Sequence, residues 1–144
     1  MAKVQEEMRK YLSDNSMGKE VQRENFKFMF GEEDCHYPGT LISGCKLLEK
    51  CVDFASAFAA RRDGGMSNLF AHMEADILYS VHTCDVMEVI CWKVKDGNKS
   101  RVIGFEMYKI EEYDKAKDYF NMLTEPVLCV KGECVCVLTA VPHV

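Results

Sequence analysis

Three polar side chains in one short segment have the types and spacing needed for proton transfer. Asp76, His82 and Asp85 lie within ten residues, and a carboxylate beside an imidazole fixes the ring tautomer and raises its basicity. In an extended strand Asp76 and His82 point to one face and Tyr79 to the other, because side chains alternate. We therefore take Asp76, His82 and Asp85 as candidate catalytic residues. The alternative is that His82 and Asp85 form only the solvated end of a hairpin.

The cysteines could serve as metal ligands or as nucleophiles. A structural zinc site needs closely spaced ligand pairs such as C-x2-4-C, and the chain contains no C-x-x-C. Cys35 and His36 are adjacent and do not chelate one ion easily, and no nucleotide-binding or metalloprotease motif is present. We expect no metal and no cofactor, with thiols that behave as small buried hydrophobic groups. The eight cysteines are Cys35, Cys45, Cys51, Cys84, Cys91, Cys129, Cys134 and Cys136.

The last three cysteines are also redox candidates. If Lys131 and Gly132 formed a two-residue hairpin turn, Cys129 would lie opposite Cys134 with Cα atoms about 4.5 Å apart. A disulfide accepts Cα separations of roughly 4.4–6.8 Å, and Cys136, on the same face, would be the resolving thiol. The alternative is three small side chains packed against a helix.

Length and charge limit the class of protein. The chain has 144 residues, of which 18 are Lys or Arg and 23 are Asp or Glu, giving a net charge of -5. This size predicts one domain over residues 1–144, and the acidic balance argues against a nucleic-acid partner. The chain has no apolar run long enough to span a membrane. Its charged N-terminus does not resemble a signal peptide, so we expect a cytoplasmic protein with free thiols.

Hydrophobic periodicity predicts an α+β fold, a mostly antiparallel sheet packed against a long helix and two or three shorter helices. The long helix covers residues 40–62, and an Asp-Gly-Asn turn at 96–98 joins two strands. The other predicted elements are a helix at 2–13, a strand at 26–30, a short helical turn at 67–73, strands at 75–81, 86–94 and 101–110, a helix at 111–123 and a hairpin at 127–140.

Part of the chain resembles a known superfamily. The segment from Phe58 to Tyr79 looks like the long helix, short helix and first strand of NTF2-like (cystatin-like) domains, and Tyr119-Phe120 with the following hairpin looks like a later part. The meander at 86–110 is longer than the family's usual strand, and the chain ends before the last two strands. The resemblance implies an α+β cone with an apolar cavity, in which an acid, histidine or tyrosine pair could do isomerase or dehydratase work.

These observations favour a non-catalytic binding or interaction module that self-associates. Residues 127–137 are apolar on both faces, so either the domain's own helices or another subunit must cover the second face, and we expect a homodimer. The alternative is a small cofactor-independent NTF2-like enzyme or carrier that acts on an apolar small molecule. Tyr79, Trp92 and Phe105 are the candidate binding residues for a protein or a small apolar ligand.

Overall fold

The computed structural model describes residues 20–63 and 68–139, together with Glu6. Nearly all of the helix expected at 2–13, and the first residue of the helical turn expected at 67–73, therefore lie outside the described residues. The elements are β1 (Arg23–Met29), a 3-10 turn (Glu32–Asp34), α1 (Gly44–Asp63), β2 (Asn68–Ile77), β3 (Val86–Asp96), β4 (Ser100–Asp114) and β5 (Tyr119–Leu138).

The five strands form one antiparallel sheet in the order β1-β3-β4-β5-β2. The helix α1 contacts β2, β3, β4 and β5. This arrangement confirms an α+β fold with an antiparallel sheet packed against a long helix. Among the described residues, no helix is long and apolar enough to cross a membrane.

The core lies between α1 and one face of the sheet. Helical spacing places Leu47, Cys51, Ala55, Phe58 and Ala59 on the stripe that is buried against the strands. Strand alternation supplies the opposing layer, because every second side chain of a strand points towards the helix. The strand side chains buried there include Met87, Val89, Cys91, Ile103, Phe105, Met107, Cys134 and Cys136.

The helix expected at 111–123 is wrong. Those residues form the end of β4, a turn at 115–118 and the start of β5. Tyr113 pairs with Phe120 across this hairpin, and the two ring centroids are 5.2 Å apart. Asp118 has the positive φ of 49° that a tight turn requires. The apolar spacing fitted a helix, but long-range pairing with β4 decides the conformation.

Two further expectations are wrong in the same way. The short helical turn expected near 67–73 is the first half of β2, and the expected hairpin at Lys131-Gly132 is absent because β5 is continuous. Gly132 is needed for close packing: a Cβ there would lie 2.2 Å from the carbonyl oxygen of Glu74 and 2.8 Å from the Phe105 ring. Within the described residues there is thus one α-helix, and not a group of helices.

Buried arginines fix the C-terminal end of α1. Arg62 donates two hydrogen bonds of 2.9 Å to Asp96 and one of 2.7 Å to the carbonyl oxygen of Val21. Arg101 pairs with Asp63 at 3.0 Å. Both guanidinium groups are almost fully buried, so each needs these acceptors. The network ties the helix end to the β3–β4 hairpin.

We expect Arg62→Met to lower the free energy of unfolding by about 2–4 kcal/mol, because it leaves Asp96 and a backbone carbonyl without their donor. The matched control is Lys46→Met, which removes the more exposed Lys46–Glu49 pair and should cost less than about 1 kcal/mol. Urea denaturation measures both values. Equal losses would show that the buried network contributes no special stability.

The same network gives the stability a pH dependence. Hydrogen bonds from Arg62 are the largest cause that lowers the pKa of Asp96, and the charges of Arg62, Arg101 and Lys93 add to it against the effect of burial. The stabilisation is complete above the ordinary Asp pKa of about 3.9 and is lost as the pH falls through the lower folded value. Wild type should therefore lose more stability on acidification below that range than Arg62→Met does. Parallel acid profiles would contradict this assignment.

Candidate functional site

A polar pocket of about 580 Å³ opens at the end of the sheet next to the start of α1. It combines carboxylates, an ammonium group, an imidazole and hydroxyls, which is the mixture that proton transfer requires. Its lining residues are Glu32, Thr40, His82, Thr83, Cys84, Asp85, Lys109, Glu112, Tyr113 and Lys115.

A tight turn after β2 positions the two acid-base candidates of this pocket. The amide of Asp85 donates to the carbonyl oxygen of His82 at 3.1 Å, and the Asp85 carboxylate accepts from the amide of His82 at 2.8 Å. Cys84 has a φ of 67° in this turn, and its amide donates to the carbonyl oxygen of Phe30 at 2.9 Å. The turn therefore holds Asp85 in the interior while His82 stays exposed.

A buried ion pair forms the floor of the pocket. Lys109 Nζ lies 3.1 Å from Asp85 Oδ2, and both side chains are almost fully buried. Burial by itself would lower the pKa of Lys109, but hydrogen bonds and charge from Asp85 and Glu112 outweigh it and raise this pKa. Lys109 is therefore a fixed cation at neutral pH and not a base.

Glu112 and His82 are two ionisable side chains of the pocket that lie beside the buried pair or its turn. Glu112 Oε1 lies 3.3 Å from Lys109 Nζ, and its side chain is 47% exposed. The Nδ1 atom of His82 lies 3.0 Å from the hydroxyl of Thr40, a hydrogen bond that orients the ring. A carboxylate beside a fixed ammonium can accept a proton from a ligand, while the ammonium stabilises negative charge that forms on it.

A second, apolar pocket adjoins the first. It has a volume of about 340 Å³ and lies between the start of α1 and the end of β2. Tyr79 lines this pocket, and its ring centroid lies 5.2 Å from Lys109 Nζ. The full lining is Leu41, Ile42, Gly44, Leu47, Ile77, Leu78, Tyr79 and Ser80.

Asp76, Trp92 and Phe105 lie elsewhere, around a groove of about 660 Å³. The Trp92 indole covers Gly104, where a Cβ would come within 2.3 Å of the ring. Phe105 is fully buried in the core, and Asp76 is exposed at the paired position of Lys131. The structure thus brings His82 and Asp85 together but does not bring Asp76 to them, because β2 ends at Ile77 before His82.

The redox candidates do not have the expected geometry. Cys129 and Cys134 lie five residues apart on the single strand β5, which separates their Cα atoms by about 16 Å, far beyond a disulfide. Burial is the main cause that raises the pKa of Cys129, and a hydrogen bond with Cys136 followed by burial raises that of Cys134. The eight cysteines, all of them within the described ranges, are free.

The sequence interpretation missed Lys109, although a signal for it was present. In the expected strand 101–110, Ile103, Phe105 and Met107 alternate towards the core, and Lys109 is the next position on that face. A lysine at a core position predicts a buried ammonium with a carboxylate partner.

In the part of the chain that the structure describes, no group of three or more His, Cys, Asp or Glu side chains could hold a metal ion.

Comparison with known proteins gives one relative by sequence. No family model matches the chain. A 3-aminobutyryl-CoA ammonia lyase from Acetoanaerobium sticklandii is 25% identical over 114 residues, which cover 78% of this chain and 90% of that protein.

Solved structures share the fold over most of the chain. The β-alanyl-CoA:ammonia lyase from Clostridium propionicum superposes with a TM-score of 0.75 and 24% identity, covering 89% of this chain and 93% of that one. A hexameric acyl-CoA thioesterase superposes with a TM-score of 0.65 and 16% identity, covering 88% and 76%.

These comparisons correct two expectations. The NTF2-like resemblance is wrong: the neighbours point to the hotdog fold, in which a sheet packs around one long helix, and not to a cone that holds several helices. The expectation of a non-catalytic protein-binding module is also wrong, because the proteins that this chain resembles are enzymes.

Proposed function

We propose that this protein is an enzyme that acts on acyl-coenzyme A thioesters and eliminates ammonia from those with an amino group at the β-carbon. The observation that carries the proposal is the polar pocket, where Glu112 and His82 face a ligand beside the buried Lys109–Asp85 pair. The two ammonia lyases that the chain resembles over most of its length support the same reaction.

The elimination needs a base at the α-carbon and a positive charge near the thioester oxygen. The proton on the α-carbon moves to the Glu112 carboxylate, a carbon-carbon double bond forms, and the carbon-nitrogen bond breaks. Its electron pair leaves with the nitrogen, so a protonated amine departs as neutral ammonia. Lys109 stabilises the negative charge that develops on the thioester oxygen.

The remaining groups support these two residues. Asp85 is a positioning residue, because its carboxylate holds the Lys109 ammonium and the turn that carries His82. His82 is exposed and oriented by Thr40, so we assign it the transfer of the proton between the pocket and solvent. The reaction needs no metal and no additional cofactor. A cytoplasmic location belongs to the same proposal.

Purified protein incubated with 3-aminobutyryl-CoA should release ammonia and form the conjugated enoyl thioester, which is followed by its ultraviolet absorbance. We expect Glu112→Gln to lower kcat by about 10²–10⁴-fold, since it removes the base. Glu111→Gln is the matched control, because the neighbouring Glu111 does not line the pocket.

The assay separates this reaction from hydrolysis, which is the activity named for the thioesterase neighbour. A thiol reagent in a parallel sample detects free coenzyme A, which hydrolysis releases and elimination does not. Release of thiol without ammonia would replace elimination by hydrolysis. A Glu112→Gln variant as active as Glu111→Gln would remove Glu112 from the mechanism.

We also propose that the protein forms a homo-oligomer through β2. Among the residues that the structure describes, this edge strand pairs only with β5, which leaves its outer edge available to a strand of another copy. Large apolar side chains are exposed on this strand: Leu69 is 61% exposed and Ile77 48% exposed. The hexameric assembly named for the thioesterase neighbour supports the same proposal.

We expect Leu69→Lys to reduce the assembly, because it places a charge on the pairing edge. Met122→Lys is the matched control: Met122 is 76% exposed but lies near the tip of the β4–β5 hairpin, away from β2. Sedimentation velocity at micromolar concentration measures the particle size of each. A wild type that sediments as a monomer, or equal dissociation of both variants, would overturn the β2 interface.

A further inference from the structure

Tyr79 lies next to two pockets, one lined mainly by charged and polar residues and one lined mainly by aliphatic residues. Its side chain lines the apolar pocket, and its ring rests 5.2 Å from the ammonium of Lys109, which lines the polar pocket. The chain itself makes these pockets neighbours. Leu41 of the apolar pocket pairs with His82 of the polar pocket in an isolated bridge, and Thr40, directly before Leu41, belongs to the polar pocket.

The contact with Lys109 determines where the ring lies. Lys109 is held by Asp85 at 3.1 Å and keeps its charge, so it offers a permanent cation to the face of the aromatic ring. The Tyr79 side chain remains 51% exposed, which means that dense packing does not immobilise it. The Tyr79 ring, held mainly by this one cation, can separate the polar pocket from the apolar pocket. A smaller side chain at position 79 would leave the two pockets connected.

An acyl thioester that reacts beside Lys109 and Glu112 must place the rest of its acyl chain somewhere. The polar pocket offers charged groups, which an alkyl chain avoids. The apolar pocket offers leucine and isoleucine side chains and about 340 Å³ of space, enough for an alkyl chain, and Tyr79 both lines that space and contacts Lys109.

We infer that Tyr79 determines the acyl-chain length that the enzyme accepts, by closing the polar pocket off from the apolar pocket. The inference rests on the proposed function, since it takes an acyl thioester as the ligand. It predicts that the wild type favours short acyl chains. It also predicts that loss of the ring opens the apolar pocket as a binding site for alkyl chains of about eight carbons.

The test measures binding, so that it does not depend on turnover. Isothermal titration gives dissociation constants for coenzyme A, butyryl-CoA and octanoyl-CoA with wild type, Tyr79→Ala and Tyr79→Phe. Tyr119→Ala is the matched control, because Tyr119 is 64% exposed on the β4–β5 hairpin. If Tyr79→Ala does not fold, as judged by circular dichroism, Tyr79→Leu replaces it, since leucine is narrower than the ring.

In wild type, Tyr79→Phe and Tyr119→Ala, octanoyl-CoA should bind no more tightly than butyryl-CoA. In Tyr79→Ala, octanoyl-CoA should bind at least about tenfold more tightly than butyryl-CoA, because the extra methylenes leave water. Tyr79→Phe retains the ring and distinguishes the partition from a role of the hydroxyl.

Two results would overturn the inference alone: an unchanged ratio of the two dissociation constants in Tyr79→Ala, or a wild type that already prefers octanoyl-CoA by tenfold. In both cases the thioesters bind, so the proposed function stands. If wild type binds neither coenzyme A nor its thioesters, the proposed function fails and the inference fails with it.

Discussion

The burial of the Lys109 ammonium group constrains the conformation of the chain around the polar pocket. Lys109 occupies a position of β4 that alternation directs into the core, and an unpaired charge there would cost far more than the fold can supply. The carboxylate of Asp85 meets that requirement at 3.1 Å. To reach it, the chain after β2 must turn back at His82–Asp85 with Cys84 in the left-handed region. The shape of the pocket therefore follows from the requirement to pair one charge.

Buried charges must also be paired at the C-terminal end of α1. There Arg62 and Arg101 are buried, and Asp96 and Asp63 accept their hydrogen bonds. Between the two ends, the contacts of α1 with the sheet are apolar and nondirectional, so they stabilise the helix without fixing its position along the strands. Directional hydrogen bonds from Arg62 and to Asp63 at the C-terminal end of the helix define its position relative to the β3–β4 hairpin.

Helices and strands were predicted correctly from the sequence where a single physical rule determined the local structure. Alternation located β1, the Asp-Gly-Asn turn at 96–98 located the paired strands β3 and β4, and the apolar stripe located α1. The prediction was wrong where two rules competed. The spacing of Tyr113, Ala116 and Phe120 fits a helix, but Tyr113 and Phe120 pair across a hairpin. His82 and Asp85 were identified as neighbours because a local turn joins them. Alternation placed Lys109 on the core face, but its partner Asp85 could not be identified, because it lies 24 positions away and no local pattern reports such a distance.

The interface proposed for assembly and the apolar pocket proposed for the acyl chain adjoin each other, so the two proposals are physically connected. Ile77 lies at the end of the exposed strand β2 and also lines the apolar pocket. A second copy that pairs with β2 would cover Ile77 and narrow the mouth of that pocket, removing water from its rim. Under the two proposals, pairing through the outer edge of β2 would therefore also shape the apolar pocket, so that assembly and acyl-chain binding would be coupled through Ile77.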